Sequence, residues 1–559
     1  MKVLFINPPR EGFFLITERQ VPLGIYYLME ACRKSGFEVN IIDTLVGAIS
    51  PKTIPFEELS SAQKERASKN PIFGDYVRLG IPDKQVIAKI EEWKPAVICM
   101  SIMFSCFHDA AERLAQKIKH QFPHIVIIAG GAHVTTHYKN VLSTGLFDYC
   151  LRYEGEKTLP SLLKAIEGKL PTENVEGIAY GQNPTVENPH HTWIRDLDEL
   201  RPAYDLMSAE DYLHTMTIIT SRGCPFACEF CTVHLSMGRQ YRARSVENVI
   251  DELLIYSKAG FTRFNIEDDN FTFDVERAKA ICRGIIDRKI ECDIYLPNGI
   301  AAKSLDEECI RLFALAGVKK LFLGLETTSK HLLSALKKEH ASLEIIQEKI
   351  SLCKHYKMNA GASLIIGFPS QTLDDILADI TTLIKANIPI YAFNALYPLP
   401  GTEIHEDCIK DGILTGEEDL IFLGSDNFVM HNHSFSREDL YDLWVTIKGY
   451  SKWGHLHGNY YTPDAFEIDE ALGFIAHALN GNAQNATLEV KAMSINADLI
   501  SSHYKVFSDM TRCFLFLLTG KWCDCCITEG ENVQIEYTLS SAPIPRALAA
   551  LKSRLKQKG

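Results

Sequence analysis

Residues 220–231, TSRGCPFACEFC, place three cysteines within eight positions directly after a strand-like run, Thr215 to Thr220. Further strand-like runs separated by helical patterns follow it: Arg263 to Glu267, Cys292 to Pro297, Lys320 to Leu325, Ala362 to Gly367 and Tyr391 to Tyr397. Consecutive strand-helix units of this kind predict a partial parallel barrel. The side chains that carry its chemistry are expected at the carboxyl ends of the strands.

The three cysteines, Cys224, Cys228 and Cys231, lie in a turn-rich loop that contains Gly223 and Pro225. Thiolates are the usual ligands of iron-sulfur clusters, and three of them leave one iron of a four-iron cluster open. An open iron can chelate the amino and carboxylate groups of a methionine moiety. The loop therefore predicts a four-iron cluster with one free coordination position.

Two other interpretations of the cysteines stay open at this point. His234 follows at a spacing that would complete a Cys3His zinc site, although a structural zinc finger would not need the strand-helix units that follow. The cysteines could also be incidental core thiols.

The pattern Cys-x3-Cys-x2-Cys, with the aromatic Phe230 before the last cysteine, resembles the radical S-adenosylmethionine (SAM) superfamily over residues 215 to about 405. The resemblance implies a 4Fe-4S cluster on the three cysteines, with SAM bound to it. It also implies SAM contacts at later strand ends, namely Glu267, Asp268, Asp269 and Asn270 after the second strand, Glu326 after the fourth, and Ile366 and Gly367 within Leu364 to Pro369 after the fifth. Pro398 to Thr402 resembles the segment that closes the sixth strand.

In the first 167 residues, wholly apolar strand-like runs alternate with helical patterns. Such strands predict a parallel sheet covered on both faces, the doubly wound Rossmann-like α/β class. Ligands of these sheets lie at the carboxyl ends of the strands.

This region resembles the cobalamin-binding domain that precedes many radical SAM barrels. The matching stretches are Asn7-Pro8-Pro9, Pro22-Leu23-Gly24, Gly130-Gly131-Ala132-His133 and Glu154-Gly155-Glu156. The resemblance implies cobalamin contacts from Pro8, Leu23, Gly24, Ser101, Gly130, Gly131, His133, Glu154 and Gly155.

One expected cobalamin motif is missing from the chain. Cobalamin domains of the methionine synthase type supply a histidine below cobalt from Asp-x-His-x-x-Gly, and this pattern does not occur. His133 follows a glycine pair instead, which favours a loop histidine over a cobalt ligand. We therefore expect cobalamin to bind without a histidine nitrogen on cobalt.

The remaining sequence divides the chain into an expected set of domains: 1–167, a linker at 168–205, the barrel at 206–430, and a mostly helical or mixed C-terminal substrate or capping domain at 431–559. The linker is polar and rich in proline, with room for a small hairpin. Cys523, Cys525 and Cys526, with Cys513 nearby, are interpreted as ordinary thiols, because adjacent cysteines are poorly placed to bind one metal.

Composition limits the class of protein. The 559 residues carry a net charge of −13, which argues against nucleic acid as a bulk partner. The 16 cysteines, many in apolar runs, are typical of reduced core thiols and predict a cytoplasmic protein. No signal-peptide core is recognised at the N-terminus, and the longest apolar stretch, Ala96 to Phe107, is too short to span a bilayer.

The resemblance implies an enzyme that methylates an unactivated carbon or phosphorus centre of a small molecule, using a 5′-deoxyadenosyl radical and methylcobalamin. It also implies an external low-potential electron donor such as flavodoxin or ferredoxin. A cobalamin-dependent cyclase or ring-rearranging enzyme and a non-enzymatic cobalamin or redox sensor remain alternatives. So does a tRNA methylthiotransferase with an extra cluster on Cys32, Cys99 and Cys150, although the acidic charge argues against it.

Overall fold

The computed structural model describes residues 1–12, 20–48, 52–59, 64, 76–190, 192–338, 341–414, 429–453, 485–491, 513, 516, 522–528, 532–540 and 542–556. These residues form an α/β protein with two large, mainly parallel sheets and a C-terminal region, so the predicted fold class is confirmed. No helix within the described ranges is long and apolar enough to cross a membrane.

The N-terminal strands of the described chain are β1 (Lys2–Asn7), β2 (Arg10–Gly12), β3 (Glu38–Asp43), β4 (Lys52–Thr53), β5 (Val77–Leu79), β6 (Val97–Ser101), β7 (Val126–Gly130), β8 (Tyr149–Leu151), β9 (Ile178–Tyr180) and β10 (Val186–Glu187). The large sheet has the order β10-β9-β8-β7-β6-β1-β3, and β2, β5 and β4 form a small separate sheet. Strands β3, β1, β6, β7 and β8 run parallel, whereas β9 runs antiparallel to both of its neighbours, β8 and β10. The carboxyl ends of the parallel strands therefore share one edge.

Both faces of this sheet are buried. Val3 and Phe5 of β1 pack into one hydrophobic core, and the alternate residues Leu4 and Ile6 pack into another on the opposite face. This arrangement explains the wholly apolar strand sequences, since each strand must satisfy two cores. The helices of this region are α1 (Leu23–Lys34), α2 (Asp83–Trp93), α3 (His108–Gln121), α4 (Ala132–Ser143) and α5 (Thr158–Ile166).

The hairpin suspected in the linker is present, and it belongs to the first sheet. Strands β9 and β10 pair with each other, and β9 also pairs with β8 at the sheet edge. Residues 178–187 of the expected 168–205 linker thus extend the N-terminal sheet, because the strand Ile178–Tyr180 covers the open edge of β8.

The central strands are β11 (Thr215–Ile218), β12 (Ser221–Arg222), β13 (Arg242–Ala243), β14 (Arg263–Ile266), β15 (Asp293–Ile300), β16 (Val318–Glu326), β17 (Asn359–Ile366) and β18 (Ile390–Ala395). The parallel sheet β11-β14-β15-β16-β17-β18 follows the order of the chain, as a partial barrel requires, and β12 pairs only with β13. Its helices are α6 (Val233–Ser236), α7 (Val246–Lys258), α8 (Val275–Asp287), α9 (Glu307–Ala316), α10 (Lys330–Ala335), α11 (Leu343–His355), α12 (Leu373–Lys385) and α13 (Glu403–Lys410).

Helix starts in the barrel are fixed by short polar caps. Ser245, Asp274 and Asp306 each accept a hydrogen bond from the backbone N–H three residues later. Thr372 and Asp375 form a reciprocal capping box at the start of α12. Each cap fixes the residue at which its helix begins. The loop between the preceding strand and that helix therefore has a defined length.

In the described part of the C-terminal region, helices and strands are mixed. It contains α14 (Arg437–Trp453), the antiparallel strands β19 (Asn485–Lys491), β20 (Cys523–Thr528) and β21 (Asn532–Leu539), and α15 (Arg546–Lys556). Ion pairs of Arg546 with Asp439 and of Arg554 with Asp374 link α15 to α14 and to the barrel helix α12.

Candidate functional site

The cysteine loop begins at β12 and is held in a tight turn at Gly223. This residue has a φ of +81°, and a Cβ added to it would lie 2.4 Å from the carbonyl oxygen of Gln240. Only glycine fits there without a shift of backbone. The turn directs the chain from the short β12–β13 ribbon into Cys224 to Cys231.

The three predicted cluster ligands share this loop. Asn270 donates a hydrogen bond to the sulfur of Cys224 over 3.7 Å, and the backbone N–H of Cys231 donates to the carbonyl of Cys228 over 3.2 Å. Burial raises the pKa of the Cys231 thiol to about 11. Among the described residues, no set of three or more Cys, His, Asp or Glu side chains stands in metal-binding geometry, the three loop cysteines included.

The acidic residues after the second barrel strand fasten the cysteine loop. The buried carboxylate of Asp268 accepts hydrogen bonds from the backbone N–H and hydroxyl of Thr220, both over 2.5 Å, and from the hydroxyl of Ser221 over 2.6 Å. Asp269 accepts from the backbone N–H of Gly223 over 2.8 Å. Burial nevertheless raises the pKa of Asp269 to about 6. Asp268 therefore contacts the loop through both carboxylate oxygens, and Asp269 contacts it through one.

The other two residues predicted at this strand end are differently placed. Glu267 is held by Asn298, which donates from its side-chain amide to the Glu267 carbonyl over 3.0 Å. Burial raises the pKa of the Glu267 carboxyl. Asn270 faces Cys224, as its hydrogen bond shows. Of the four residues, Glu267 and Asn270 are the two for which no side-chain hydrogen bond to the backbone of the cysteine loop is described.

A carboxylate and an ammonium group are paired at the end of the fourth strand. Glu326, at φ +69°, forms a buried ion pair with Lys338 and accepts a hydrogen bond from Ser363 over 3.2 Å. The Lys338 ammonium lies 5.9 Å from the centre of the Phe230 ring, which places the pair against the cysteine loop. A carboxylate beside an ammonium group can bind the amino and carboxylate groups of an amino acid, each to the group of opposite charge.

Sequence reasoning predicted a role for Glu326 and did not single out Lys338. Its neighbour Lys337 is exposed and pairs with Glu229 and Glu403. Nothing in the sequence separates the two adjacent lysines, since only the bend after α10 decides which one turns inward.

The end of the fifth barrel strand, β17, is buried. Ile366 is buried, and Gly367, at φ +93°, donates its N–H to the side chain of Gln371 over 2.8 Å. A Cβ on Gly367 would lie 3.0 Å from Leu440 of α14. The C-terminal region thus packs directly on this strand end.

The N-terminal sheet offers a glycine-rich ligand edge. At Gly131, with φ +121°, an added Cβ would lie 2.5 Å from the carbonyl oxygen of Ile102. Ser101 and Gly130 end neighbouring strands in register. Beyond Ser101, Met103 and Phe104 are half-exposed, which gives this edge an apolar surface of the kind that a large ring can cover.

The predicted cobalamin contacts nearer the N-terminus differ in their exposure. Pro8 is buried directly after β1, where Asn7 donates to Asp43 over 2.9 Å. Leu23 is a core residue at the start of α1, and an added Cβ on Gly24 would meet only open space. Leu23 therefore contributes packing, and Gly24 is the more accessible of the two.

Glu154 and Glu156 make contacts that the sequence did not predict. Glu154 accepts hydrogen bonds from Arg222 over 2.9 Å and from Arg242 over 2.8 Å, and Glu156 accepts from Arg222 over 2.6 Å. All four side chains are buried, and we call this set the inter-domain ion cluster. Burial alone would raise the pKa of Glu154, but the charges and hydrogen bonds of the two arginines outweigh it and lower the pKa.

The inter-domain ion cluster joins the two candidate sites. Arg222 immediately precedes Gly223 of the cysteine loop, whereas Glu154 follows the last parallel strand of the first sheet. Gly155 sits in tight packing, since an added Cβ would lie 2.7 Å from Leu151. The carboxylate of Glu154 thus accepts hydrogen bonds through both of its oxygens, from Arg222, Arg242 and the backbone N–H of Ile194.

The three cysteines of the methylthiotransferase alternative do not meet. Cys32 and Cys99 lie in the hydrophobic core on one face of the first sheet, and Cys150 lies in the core on the other face. A single cluster cannot bind all three through the sheet. The side chains of Cys523, Cys525 and Cys526 lie outside the described residues, so that interpretation stays a prediction.

Two family models match this chain. The B12 binding domain model matches residues 74–163, and the radical SAM superfamily model matches residues 218–383. The first match contains the ligand edge at Ser101 and Gly130, and the second contains the cysteine loop and Glu326.

Relatives include both methyltransferases and cyclases. A Pyrococcus horikoshii protein named as an uncharacterised methyltransferase is 27% identical over 424 residues, covering 74% of this chain and 84% of that protein. The cytidylyl-2-hydroxyethylphosphonate methyltransferase of Streptomyces wedmorensis is 26% identical over 465 residues, covering 75% and 84%. The anaerobic magnesium-protoporphyrin IX monomethyl ester cyclase of Rubrivivax gelatinosus is 29% identical over 321 residues, covering 55% and 57%.

Solved structures share the fold. The cobalamin-dependent SAM radical enzyme OxsB, with aqua-cobalamin and SAM bound, superposes with a TM-score of 0.61 at 16% identity, covering 92% of this chain and 72% of that one. The radical SAM methyltransferase TsrM of Kitasatospora setae gives a TM-score of 0.56 at 18% identity, covering 73% and 76%. At these identities the likeness establishes the fold.

Proposed function

Because this chain is a radical SAM enzyme with a B12-binding domain, we propose that it methylates an unactivated carbon or phosphorus centre of a small molecule. Two of the relatives described above are named as methyltransferases, which supports methyl transfer as the reaction. The observation that carries the proposal is the inter-domain ion cluster, which packs the cysteine loop against the B12-binding domain. The two cofactor sites are thereby held as one reaction centre.

The residues present fit the groups that these domains imply. Three thiols on one loop match a 4Fe-4S cluster with an open iron, and the glycine-rich edge with its apolar surface matches a corrin ring. When bound, the cluster and SAM supply a 5′-deoxyadenosyl radical that removes hydrogen from the substrate, and cobalamin supplies the methyl group. The chain itself binds, orients and shields these groups.

Specific side chains divide this work. We assign Cys224, Cys228 and Cys231 to the cluster, and the Glu326–Lys338 pair to orienting SAM beside it. Asp268 and Asp269 hold the cysteine loop at the strand end through the hydrogen bonds to Thr220 and Gly223 described above. Because these contacts are already formed in the folded protein, little entropy is lost in orienting the reacting groups during the reaction.

The surroundings of the reaction follow from the same proposal. We assign residues 1–167, together with the hairpin at 178–187, to cobalamin binding, 206–430 to radical generation and 431–559 to a substrate or capping domain. The rest of 168–205 joins the first two. The electron donor is a low-potential protein such as flavodoxin or ferredoxin. The described cysteines are all free thiols, which supports a reducing, cytoplasmic location.

A cyclase reaction is the second candidate. The Rubrivivax gelatinosus relative is named as an anaerobic cyclase, although this chain covers only 57% of its length. A cyclase would generate 5′-deoxyadenosine and change its substrate without transferring the methyl group of SAM. The fate of that methyl group therefore separates the two reactions.

The test uses the anaerobically reconstituted holoenzyme with methyl-labelled SAM and a strong reductant. Without substrate, slow reductive cleavage of SAM to 5′-deoxyadenosine is expected, and its absence would favour a sensor. With substrate, 5′-deoxyadenosine, S-adenosylhomocysteine and a labelled product are expected together. The matched control is the variant in which the three loop cysteines are replaced by alanine, which must form no 5′-deoxyadenosine.

A further inference from the structure

The loop that follows the fourth barrel strand is fastened to helix α12 by one buried carboxylate. Asp379, which is 2% exposed, accepts a hydrogen bond from the Thr327 hydroxyl over 2.8 Å. Its other oxygen accepts from the backbone N–H of Thr328 over 2.6 Å and from the Thr328 hydroxyl over 2.5 Å. Both oxygens of Asp379 therefore contact the two residues that directly follow Glu326.

These hydrogen bonds offset the burial of the Asp379 carboxylate. Burial and the negative charge of Asp375 raise the pKa of Asp379, whereas the hydrogen bonds from Thr327 and Thr328 lower it. A buried carboxylate is costly unless hydrogen-bond donors surround it. The loop after the fourth strand supplies the donors that stabilise the charged form of this side chain.

Glu326 has a backbone conformation that needs such support. Its φ of +69° lies in the left-handed region, which is unfavourable for a residue with a Cβ and persists only where surrounding contacts hold it. The chain on its C-terminal side is held by the hydrogen bonds from Thr327 and Thr328 to Asp379. The direction in which the Glu326 side chain leaves the strand, toward Lys338, therefore depends on these bonds.

The same contacts extend to Lys338 through a short helix. The Thr327 hydroxyl that donates to Asp379 also accepts from the backbone N–H of Ser329 over 3.1 Å. The Ser329 hydroxyl in turn accepts from a backbone N–H at the start of α10, and Lys338 follows the end of that helix by three residues. Glu326 and Lys338 thus lie on either side of the segment that Asp379 holds.

The cysteine loop is held by a contact of the same kind. Asp268 and Asp379 are each 2% exposed, and each accepts from the backbone N–H and the hydroxyl of one threonine, Thr220 and Thr328 respectively. The first of these loops leads into the cluster cysteines, and the second directly follows Glu326. Both loops of the candidate SAM site are therefore fixed by a buried carboxylate.

We propose that Asp379 is a positioning residue, which holds Glu326 and Lys338 in the arrangement that binds the amino and carboxylate groups of SAM. This inference rests on the proposed function, in which the Glu326–Lys338 pair orients SAM beside the cluster. The oxygens of Asp379 contact the loop, so its effect on SAM passes through Thr327 and Thr328.

The first experiment measures the SAM affinity of the full-length chain with its reconstituted and reduced cluster. Titration with SAM, followed by electron paramagnetic resonance of the cluster, reports binding at the open iron. Asp379→Ala removes three hydrogen bonds, and we expect the affinity to fall about tenfold while the iron content stays that of the wild type. Asp379→Asn keeps an acceptor for Thr328 and should recover most of the affinity. Asp374→Ala, at an exposed position on the same helix, is the matched control and should bind SAM as the wild type does.

A second measurement separates positioning from a general loss of stability. Glu326→Gln weakens the pair with Lys338 directly and should itself lower the affinity for SAM. If Asp379 acts through this pair, the double variant Glu326→Gln/Asp379→Ala should lose less affinity than the product of the two single losses. A loss equal to the full product would show that Asp379 acts independently of the pair, and the positioning role would be wrong.

The outcomes also separate this inference from the proposed function. If the wild type with its cluster binds no SAM, the proposed function fails. If the wild type binds SAM and Asp379→Ala binds it equally well, only the positioning role is refuted. Should Asp379→Ala fail to fold, as judged by circular dichroism, Thr328→Val decides, because it removes one of the three hydrogen bonds. A loss of about threefold in SAM affinity supports the role, and wild-type affinity overturns it.

Discussion

Replacing Glu154 by glutamine should loosen the contact between the B12-binding domain and the cysteine loop. The substitution keeps the size of the side chain and removes its charge. It leaves the guanidinium groups of Arg222 and Arg242 buried with one carboxylate, Glu156, instead of two. Neither arginine can turn to solvent, because both are less than 10% exposed.

The size of the effect follows from these contacts. Glu154 accepts from Arg222, from Arg242 and from the backbone N–H of Ile194 over 2.8 Å. Breaking a buried ion pair by removing one partner costs about 3–5 kcal/mol. Glutamine can still accept from Ile194, so we expect the lower end, about 3 kcal/mol, which corresponds to an increase of more than about 100-fold in local opening.

Hydrogen-deuterium exchange measures this opening directly. Peptides that contain residues 153–157 and 220–224 should exchange faster in Glu154→Gln, while the core strand at 97–101 should be unchanged. Glu247→Gln is the matched control, because it breaks the exposed pair with Arg288, which should contribute less than about 1 kcal/mol. Equal exchange in the two variants would refute the assignment of the inter-domain ion cluster as a stabilising contact.

Three further predictions concern the cofactors and pH. Anaerobic reconstitution should give one four-iron cluster per chain, and replacing Cys224, Cys228 and Cys231 together by alanine should abolish it; four irons on the triple variant would place the cluster elsewhere. The Co(II) electron paramagnetic resonance spectrum should show no hyperfine splitting from a histidine nitrogen, and such splitting would contradict the sequence argument. The lowered pKa of Glu154 adds stability above its unfolded pKa, about 4.3, and this stability is lost as the pH falls through the lower folded value; unfolding titrations should therefore show a smaller acid dependence in Glu154→Gln than in the wild type.

The sequence predicted those features that depend on local pattern. The wholly apolar run of β1 predicted a sheet that is covered on both faces, and the spacing of the cysteines predicted the loop that follows β11. Glycines with positive φ, such as Gly131 and Gly223, stood at the expected strand ends. Each of these signals lies within about ten residues, the range in which backbone geometry and side-chain type are directly linked.

Long-range partnerships could not be predicted in the same way. The resemblance implied a cobalamin contact at Glu154, whereas its pairing with Arg222, 68 residues further along the chain, had no signal in the sequence. Asp268 was expected to face SAM, whereas the structure engages it with Thr220. In each case the sequence showed a carboxylate that needs hydrogen-bond donors. Which donors it contacts depends on the fold, which the sequence pattern does not specify.

The central claim is that one chain generates a radical from SAM and transfers a methyl group through cobalamin. The most direct measurement follows methyl-labelled SAM during turnover of the holoenzyme with a strong reductant and its substrate. The account predicts two SAM molecules consumed per turnover, with equal amounts of 5′-deoxyadenosine and S-adenosylhomocysteine, and the label in the product. Turnover that forms 5′-deoxyadenosine but never moves the label into the product would contradict it.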